Sequence, residues 1–523
     1  MFTATGVTQS DLQAKGRKVV RKAGRQVLLI AREGKIFALA NRCPHEGYPL
    51  MEGTEGPGCV ITCNWHNWKF DLATGEALAG RDPVRTYAVE LRDGEIFLDL
   101  SDPPAAAQRE RALHGLDAAI AYNDMPRMAR ELARLERAGF DATEGLAHAI
   151  AARNDRLEDG TTHAHGAAFD WLTLADRAPG PEARLTAIIE PIAHLAWDTA
   201  MGERFPYAEH KRDWDAEAFL AAVESEREAD AIALLRGALA DGIGYDTLGP
   251  LFGTAALAHY ADFGHSAIYA FKIGQLIARL GNGAAEPLLL ALARSQVRCT
   301  REEKIPEFRG YDAALSKWDG SGSRPARASD FFGLSIDAAL ARTLESSGRP
   351  VQELYDALLG AAAFNLLHFD VERDYATGNA IADNVSWLDF THALTFANAS
   401  RHICTEQLAL WPKALLQMAL FVGRNKKYVA PDQDVSRWRV NDRSTFLKQE
   451  MDGLYDHGIV EPIIACHRVK MLFALEDEFA ATPDAPWANE MLAAMNRWLN
   501  TPQKRHHGLR NASQALDFIA KEG

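Results

Sequence analysis

Two kinds of hydrophobic pattern follow one another along the chain. Between residues 18 and 99, short runs of Val, Ile, Leu and Phe are broken by turn sequences such as Ala-Gly and Glu-Gly-Lys, which predicts strands and hairpins. Pro103 and Pro104 end this pattern. From about residue 113 onward, apolar residues recur at spacings of three and four, as in amphipathic helices. The pattern predicts a multidomain protein with a small all-β domain, residues 1–102, followed by a large all-α domain, residues 113–523.

Length and composition agree with this division. A chain of 523 residues is too long for one hydrophobic core, and 47% hydrophobic with 24% charged residues is typical of a soluble globular protein. No apolar run approaches the roughly 20 residues of a membrane span, and the first residues contain no signal core, so we expect a cytoplasmic protein without membrane association. The net charge of −14 argues against a nucleic-acid partner.

One basic cluster departs from the acidic balance of the chain. It consists of Lys15, Arg17, Lys18, Arg21, Lys22 and Arg25. The cluster is either a solvated strand edge or a docking patch for an acidic redox partner.

Cysteine and histidine recur together in the β-like region. Cys43-Pro-His45 is followed, after 17 residues, by Cys63-Asn-Trp-His66. Two thiolates suit one iron of a [2Fe–2S] cluster and two imidazoles suit the other, although a zinc site would also accept two Cys and two His. Cys59 lies just before the second motif and is interpreted as a small buried residue.

The region of residues 1–100 resembles the Rieske family. The resemblance rests on Cys43-Pro-His45-Glu-Gly, on Cys63-Asn-Trp-His66-Asn-Trp-Lys-Phe-Asp and on the trailing Thr-Gly pair. It implies that Cys43 and Cys63 hold the inner iron of a [2Fe–2S] cluster, and that His45 and His66 hold the outer iron near the surface. The loops lack the extra cysteines of the cytochrome-complex branch, which favours the ferredoxin or oxygenase branch.

The helical region lacks two familiar iron motifs. An acidic residue with two closely spaced histidines, as in the catalytic domain of ring-hydroxylating oxygenases, is missing, because Glu158, His163 and His165 have the wrong separations. A pair of Glu-x-x-His motifs, which a ferritin-like di-iron site needs, is also missing. We therefore expect that the usual β-rich catalytic domain is absent.

Many histidines nevertheless lie in apolar helical sequence. They are His163, His165, His194, His259, His265, His368, His392, His402 and His467. They are either satisfied core residues or, for three or four of them, ligands of Fe, Mn, Zn or Cu. Lys470 lies one helical turn after His467 and is either a buried lysine or a surface lysine whose stem lies along the helix.

The helical domain resembles the questin oxidase-like family. The resemblance rests on His163-Ala-His165, Phe-Gly-His265-Ser-Ala-Ile-Tyr-Ala, Leu-Asp-Phe-Thr-His392-Ala-Leu-Thr and His467-Arg-Val-Lys470. It implies a mononuclear non-haem Fe(II) and a lysine carbamate formed with CO2. The implied ligands are His165, His265, His392, His467 and Lys470, with His163 or His194 as alternatives to His165.

Together the two resemblances imply an oxidoreductase. An external reductase or ferredoxin would reduce the Rieske cluster, which would deliver electrons to the mononuclear iron for O2-dependent oxygenation of a small organic substrate of aromatic or polyketide-like type. The reaction is monooxygenation or oxidative C–C cleavage, and the fused electron supply favours the former. Catalytic residues other than ligands remain unknown, and a homo-oligomer is compatible with the sequence.

Two alternatives stay open at this point. In the first, the chain is an electron-transfer protein whose helical domain is a docking scaffold without metal. In the second, the metal of the helical domain is zinc or manganese, and its chemistry is hydrolytic. Several aromatic residues near the candidate ligands, including Trp171, Trp197, Tyr269 and Trp387, are either pocket lining or plain core.

Overall fold

The computed structural model describes residues 2–200 and 202–522. The chain divides into two compact units, Met1–Ala118 with Arg134–Phe140, and Ala119–Ala133 with Asp141–Gly523. The strands belong to the first unit and most of the helices to the second. The expected order, a small β domain followed by a large helical region, is confirmed. The first unit extends past residue 102, because part of the first long helix groups with it.

The β domain contains three antiparallel sheets. Its strands are β1 Phe2–Thr8, β2 Arg17–Lys22, β3 Arg25–Arg32, β4 Lys35–Ala40, β5 Thr54–Gly56, β6 Val60–Thr62, β7 Lys69–Asp71, β8 Ala77–Ala79, β9 Val89–Arg92 and β10 Glu95–Asp99. The sheet orders are β1-β10-β9, β2-β3-β4 and β5-β6-β7-β8. A short helix, α1 Gln9–Lys15, follows β1, so this domain is not purely β.

Tight turns fix the register of the hairpins. Asp93 and Gly94 connect β9 to β10 with φ values of 48° and 80°, and Arg92 pairs with Glu95 across the turn. Two residues with positive φ are the signature of the hairpin turn that matches strand twist. The sequence Arg92-Asp93-Gly94-Glu95 therefore forms a tight hairpin turn, which its Asp-Gly pair favours.

The helical unit is built from many short and medium helices. Including the two that the division crosses, they are α2 Ala105–Ala121, α3 Met125–Arg137, α4 Thr143–Arg153, α5 His163–Asp176, α6 Pro181–Thr199, α7 Ala216–Glu224, α8 Glu228–Ala240, α9 Tyr245–Ala256, α10 His265–Leu280, α11 Asn282–Arg298, α12 Tyr311–Ser316, α13 Ile336–Leu344, α14 Val351–Leu367, α15 Glu372–Tyr375, α16 Leu388–Glu406, α17 Trp411–Asn425, α18 Arg443–Asp452, α19 Pro462–Ala481, α20 Ala488–Asn500 and α21 Gly508–Lys521. None of the helices in the described residues combines the length and apolarity needed to cross a bilayer.

Four of these helices close a ring. Helix α5 packs on α10, α10 on α16, α16 on α19, and α19 on α5. Helices α16 and α19 are buried over most of their surfaces, and their buried residues include His392 on α16 and His467 and Lys470 on α19. Polar side chains that point into such a ring are shielded from water.

Candidate metal centres

The two cysteine loops of the β domain share one backbone conformation. The N–H of Gly47 donates to the carbonyl of Cys43 at 2.8 Å, and the N–H of Asn67 donates to the carbonyl of Cys63 at 3.0 Å. Gly47 and Asn67 both have left-handed backbones, with φ of 76° and 61°. Each loop therefore presents its cysteine and its histidine in the same way.

Thiols lie inside this site and imidazoles lie outside. Cys43 and Cys63 are buried in a hydrophobic core with Leu39 and Phe70, whereas His45 and His66 are about one-third exposed. The two Nδ1 atoms are 3.1 Å apart. Burial, with Cys63 alongside, raises the pKa of the Cys43 thiol to about 11. Two neighbouring buried thiols become thiolates when a metal binds, so the donor set fits a cluster with an inner and an outer iron.

A tryptophan fixes the ring of His45. The indole of Trp68 stacks on the imidazole with ring centroids 4.7 Å apart and an interplanar angle of 10°. Gly80 lies close to the same indole, and a Cβ at that position would be only 2.4 Å from Trp68 Cδ2. Gly80 also has φ of 115°, so glycine is required for this packing.

Cys59 and the basic cluster have other partners. Cys59 is only half-buried, and its thiol donates to Glu33 Oε2 at 3.4 Å, so its interpretation as a small buried residue holds only in part.

In the basic cluster, Arg17 donates to the Gly53 carbonyl, and Arg25 pairs with Asp102 at 2.8 Å. Two of the six cations are thus used within the fold, and the docking patch stays a prediction.

The ring of four helices brings four histidines together. His163 is the first residue of α5, His265 is the first residue of α10, and His392 and His467 lie on α16 and α19. The Nε2 atoms of His163 and His265 are 3.2 Å apart, and those of His392 and His467 are 3.1 Å apart. Each helix of the ring contributes one imidazole, although the four residues are spread over 300 positions of sequence.

Backbone carbonyls fix the tautomers of three of these imidazoles. His392 Nδ1–H donates to the Leu388 carbonyl and His467 Nδ1–H to the Ile463 carbonyl, both at 2.7 Å, and His265 Nδ1–H donates to the Asp262 carbonyl. A carbonyl only accepts, so each Nδ1 carries the proton and each Nε2 presents a lone pair.

These lone pairs converge. Burial lowers the pKa of all four imidazoles, that of His265 to about 4, and keeps them neutral. Facing lone pairs on His392 and His467 repel one another unless a cation lies between them. Neutral imidazoles held through the opposite nitrogen are the usual state of metal-bound histidine, so the arrangement suits a metal ion.

Lys470 lies one turn beyond His467 on α19. It is fully buried, which excludes a surface lysine, and its Nζ has no hydrogen-bond partner among the described residues. Burial lowers the pKa of this amine. A positive charge on Lys470 would further lower the pKa of His163, His265 and His467, which burial already lowers. A buried amine without a partner is costly unless it is deprotonated or modified.

The structure does not bring His165 into this cluster. Its Nδ1 accepts the backbone N–H of Thr162 at 3.2 Å, as part of a reciprocal cap at the start of α5. Residues two apart on a helix point about 200° apart, so only one of His163 and His165 can face the ring. His163 does so, and His165 has a structural role in the N-terminal turn. The signal in the sequence was Thr162-x-x-His165, the spacing of a capping box.

His194 also lies outside the cluster. Its Nε2 is 3.6 Å from Asp198 Oδ2, and burial lowers its pKa to about 3. It lines a cavity of about 370 Å3 together with His163, Trp197, Asp198, Tyr269 and Glu461. The cavity thus reaches one histidine of the cluster directly. Of the aromatic residues considered above, Trp197 and Tyr269 line it, whereas Trp171 and Trp387 are fully buried.

A larger cavity lies elsewhere in the helical unit. It measures about 560 Å3, is lined by residues such as Leu174, Arg443 and Phe479, and contains none of the cluster histidines. Size alone therefore does not mark the candidate active site. The smaller cavity is the better candidate because it is lined by His163 of the histidine cluster and by the titratable side chains of His194, Asp198 and Glu461.

An unusual turn positions His265. Asp262, Phe263 and Gly264 have φ values of 45°, 55° and 82°, all in the left-handed region. A Cβ at Gly264 would lie 2.5 Å from the Phe396 ring, so glycine is needed for close packing as well as for backbone conformation. Sequence periodicity gave no sign of this turn, which delivers the Asp262 carbonyl to the His265 ring.

Two of the other candidate histidines, His259 and His402, have local partners. His259 bonds to Glu302 at 3.0 Å and to Glu224 at 3.1 Å; burial would lower its pKa, but the two carboxylates raise it. His402 bonds to Asp477 at 2.7 Å. These contacts are those of satisfied structural histidines.

Comparisons with known proteins identify the first domain. Residues 5–89 match the family described as Rieske [2Fe-2S] domain. The chain is 33% identical over 78 residues to the ferredoxin subunit of 3-phenylpropionate/cinnamic acid dioxygenase from Photorhabdus laumondii, covering 14% of this chain and 74% of that protein. It is 30% identical over 103 residues to the ferredoxin component of the p-cumate 2,3-dioxygenase system from Pseudomonas putida, covering 19% and 87%. The chain therefore belongs to the Rieske family through its N-terminal domain.

Some relatives are oxygenases that are longer than the matched segment. Identity to 4beta-methylsterol monooxygenase from Methylococcus capsulatus is 33% over 114 residues, 19% of this chain and 31% of that protein. Among solved structures, the ferredoxin of carbazole 1,9a-dioxygenase from Nocardioides aromaticivorans IC177 matches with 25% identity, 19% and 99% coverage and a TM-score of 0.18. The chain spans about a third of the length of such an oxygenase relative. The resemblance of the helical region to the questin oxidase-like family stays a prediction.

Proposed function

We propose that this protein is an oxygenase in which the Rieske domain supplies electrons to a metal centre in the helical unit. The observation that carries the proposal is the convergence of four imidazoles from four helices, three of which present an Nε2 lone pair because a backbone carbonyl holds their Nδ1–H. The Rieske domain in the same chain supports an oxidoreductase role, and its similarity to components of oxygenase systems favours O2 chemistry. A hydrolytic zinc enzyme would have no use for an electron-transfer domain.

In the Rieske domain, Cys43, Cys63, His45 and His66 would hold the [2Fe–2S] cluster, which supplies one-electron transfer when bound. The residues of the chain determine how electrons reach it. The cysteines tie the site to the core, and the exposed edges of the two imidazoles face solvent. An external reductase or ferredoxin would exchange electrons at this exposed edge.

In the helical unit, His163, His265, His392 and His467 would hold a mononuclear non-haem iron, which supplies O2 activation when bound. Imidazole also suits zinc, copper and manganese, and the fused redox domain is the reason to select iron. Lys470 would supply a further ligand. Its amine would react with CO2 to give a carbamate and release one proton, which turns a costly buried amine into an anionic oxygen donor.

The cavity beside His163 would receive the substrate. The side chains of Trp197 and Tyr269 offer aromatic surface to a ring, and Thr162 offers a hydroxyl. Asp198 and Glu461 place two carboxyl groups at this cavity, which disfavours an anionic substrate. We therefore propose a neutral aromatic or polyketide-like compound, with monooxygenation as the reaction that needs external electrons.

Metal analysis combined with oxygen uptake tests the proposal. Protein purified with its metals should contain about three irons per chain, two in the cluster and one in the helical unit. It should consume O2 only when a reductant and a substrate are supplied. Two irons without O2 uptake would support an electron-transfer protein with a metal-free helical scaffold. A third metal that proves to be zinc or manganese, again without O2 uptake, would support hydrolytic chemistry.

Lys470 has a separate test. Lys470→Ala should lower iron occupancy of the helical centre, because the carbamate ligand is lost, while the [2Fe–2S] spectrum is unchanged. Lys470→Arg keeps a positive charge but forms no carbamate, and it should show the same loss. Acetate should restore part of the iron to Lys470→Ala by occupying the vacated ligand position. Full iron occupancy in both variants would remove Lys470 from the ligand set.

A further inference from the structure

The C-terminal helix α21 is anchored by its polar residues. Arg510 donates to the carbonyls of Ala376 at 2.7 Å and Asp374, and Gln514 donates to the Asn379 carbonyl at 2.8 Å. Arg510 and Gln514 are only 5% and 8% exposed. These bonds fix which face of the helix points inward.

The opposite face of the same helix is apolar and exposed. Leu509, Leu516, Phe518 and Ile519 are 70%, 75%, 58% and 62% exposed. An ordinary surface helix buries its apolar face and exposes its polar face. Helix α21 has the opposite arrangement, with polar residues buried and apolar residues exposed. Exposed apolar surface of this kind marks an interaction site.

We propose that this face is the interface between two copies of this chain. Leu509, Leu516 and Ile519, with Phe518 at the edge of the same face, present on the order of 500 Å2, so two copies would bury up to about 1,000 Å2, the lower limit for a specific interface. Positions 509, 512, 516 and 519 follow the three-four spacing of a helix–helix seam. The same seam on a second copy is complementary to it, which gives a closed two-fold contact.

The charges of α21 favour this occupant over a membrane surface. Asp517 and Lys521 pair within the helix at 2.7 Å, so two copies meet without repulsion between like charges. Helices that lie on membranes expose several Lys and Arg residues beside their apolar face. Here Arg510 is buried and Lys521 is already paired with Asp517.

Sedimentation velocity of the full-length holoprotein tests the interface. The wild-type protein should sediment with twice the mass of one chain at micromolar concentration. Leu516→Glu/Ile519→Glu should raise the dimer dissociation constant at least about tenfold, because two buried apolar contacts become charged. Leu408→Glu alters another large residue that is 71% exposed, outside α21, and should leave the dimer intact.

Circular dichroism establishes that the double variant keeps its helical content, since both altered side chains already point to solvent. A wild-type protein that is monomeric at all concentrations, or a double variant that dimerises as tightly as wild type, overturns the proposal. A monomer that binds vesicles of phosphatidylserine and phosphatidylcholine through Leu516 and Ile519 also overturns it, in favour of a membrane surface.

Discussion

Replacing His163 with alanine should remove the mononuclear metal, whereas replacing His165, two residues away, should not. His163 faces His265 across the ring of helices, with 3.2 Å between their Nε2 atoms. His165 instead accepts the Thr162 N–H with its Nδ1. Since changes to residues that only support a ligand already cost about 10- to 100-fold in metal affinity, loss of a ligand should weaken binding by more than about a hundredfold. Iron per chain and O2 uptake report the result.

His165→Ala serves as the matched control. It removes the reciprocal cap of α5 and a buried ring, so we expect a loss of about 1–3 kcal/mol in the free energy of unfolding. Its iron content and O2 uptake should stay at the wild-type level. If His165→Ala loses the mononuclear iron and His163→Ala keeps it, then the ligand assignment made from geometry is wrong and the one made from sequence is right.

Cys63→Ala should abolish the [2Fe–2S] cluster and with it the electron supply. Cys63 is buried in the core of the β domain beside Cys43, and alanine offers no ligand. Iron should fall from about three to about one per chain, because the helical centre has its own ligands. The visible absorbance and the EPR signal of the reduced cluster should disappear, and O2 uptake coupled to an external reductase should stop.

Cys59→Ala is the control for this variant. Cys59 is near Cys63 in sequence, but its thiol is bonded to Glu33. Its replacement should leave the cluster spectrum and O2 uptake unchanged. A cluster that persists in Cys63→Ala, or one that is lost in Cys59→Ala, would contradict the proposed ligand set of the Rieske domain.

The Rieske domain was predictable because its chemistry is local in sequence. Each motif places a cysteine and a histidine within four residues, and one left-handed residue closes each loop. The strand pattern on either side supplies the core that holds Cys43 and Cys63. Even the hairpin at Asp93-Gly94 followed from turn chemistry. The short helix α1 was not predictable, since seven residues give too little periodicity.

The helical site was only partly predictable because its geometry is not local. Hydrophobic spacing indicates helices but does not determine which way a histidine at a helix end faces, and the family resemblance implies His165 with His163 as an alternative. His265 depends on a left-handed turn that no periodicity shows. The apolar positions of α21 would similarly suggest a buried face, yet Arg510 and Gln514 occupy that side. Specific polar contacts decide these orientations.

The ring of α5, α10, α16 and α19 has a consequence for how the protein is maintained in the cell. An ion that takes one ligand from each helix acts as a cross-link between segments 300 residues apart. Such a bound ion adds about 4 kcal/mol of stability when its free concentration is a thousand times its dissociation constant. If iron binds there as proposed, chains made without it would lack this cross-link and would keep facing imidazole lone pairs in the ring. Such chains would open more readily and be cut faster by a protease, so the amount of this protein would fall when iron is scarce.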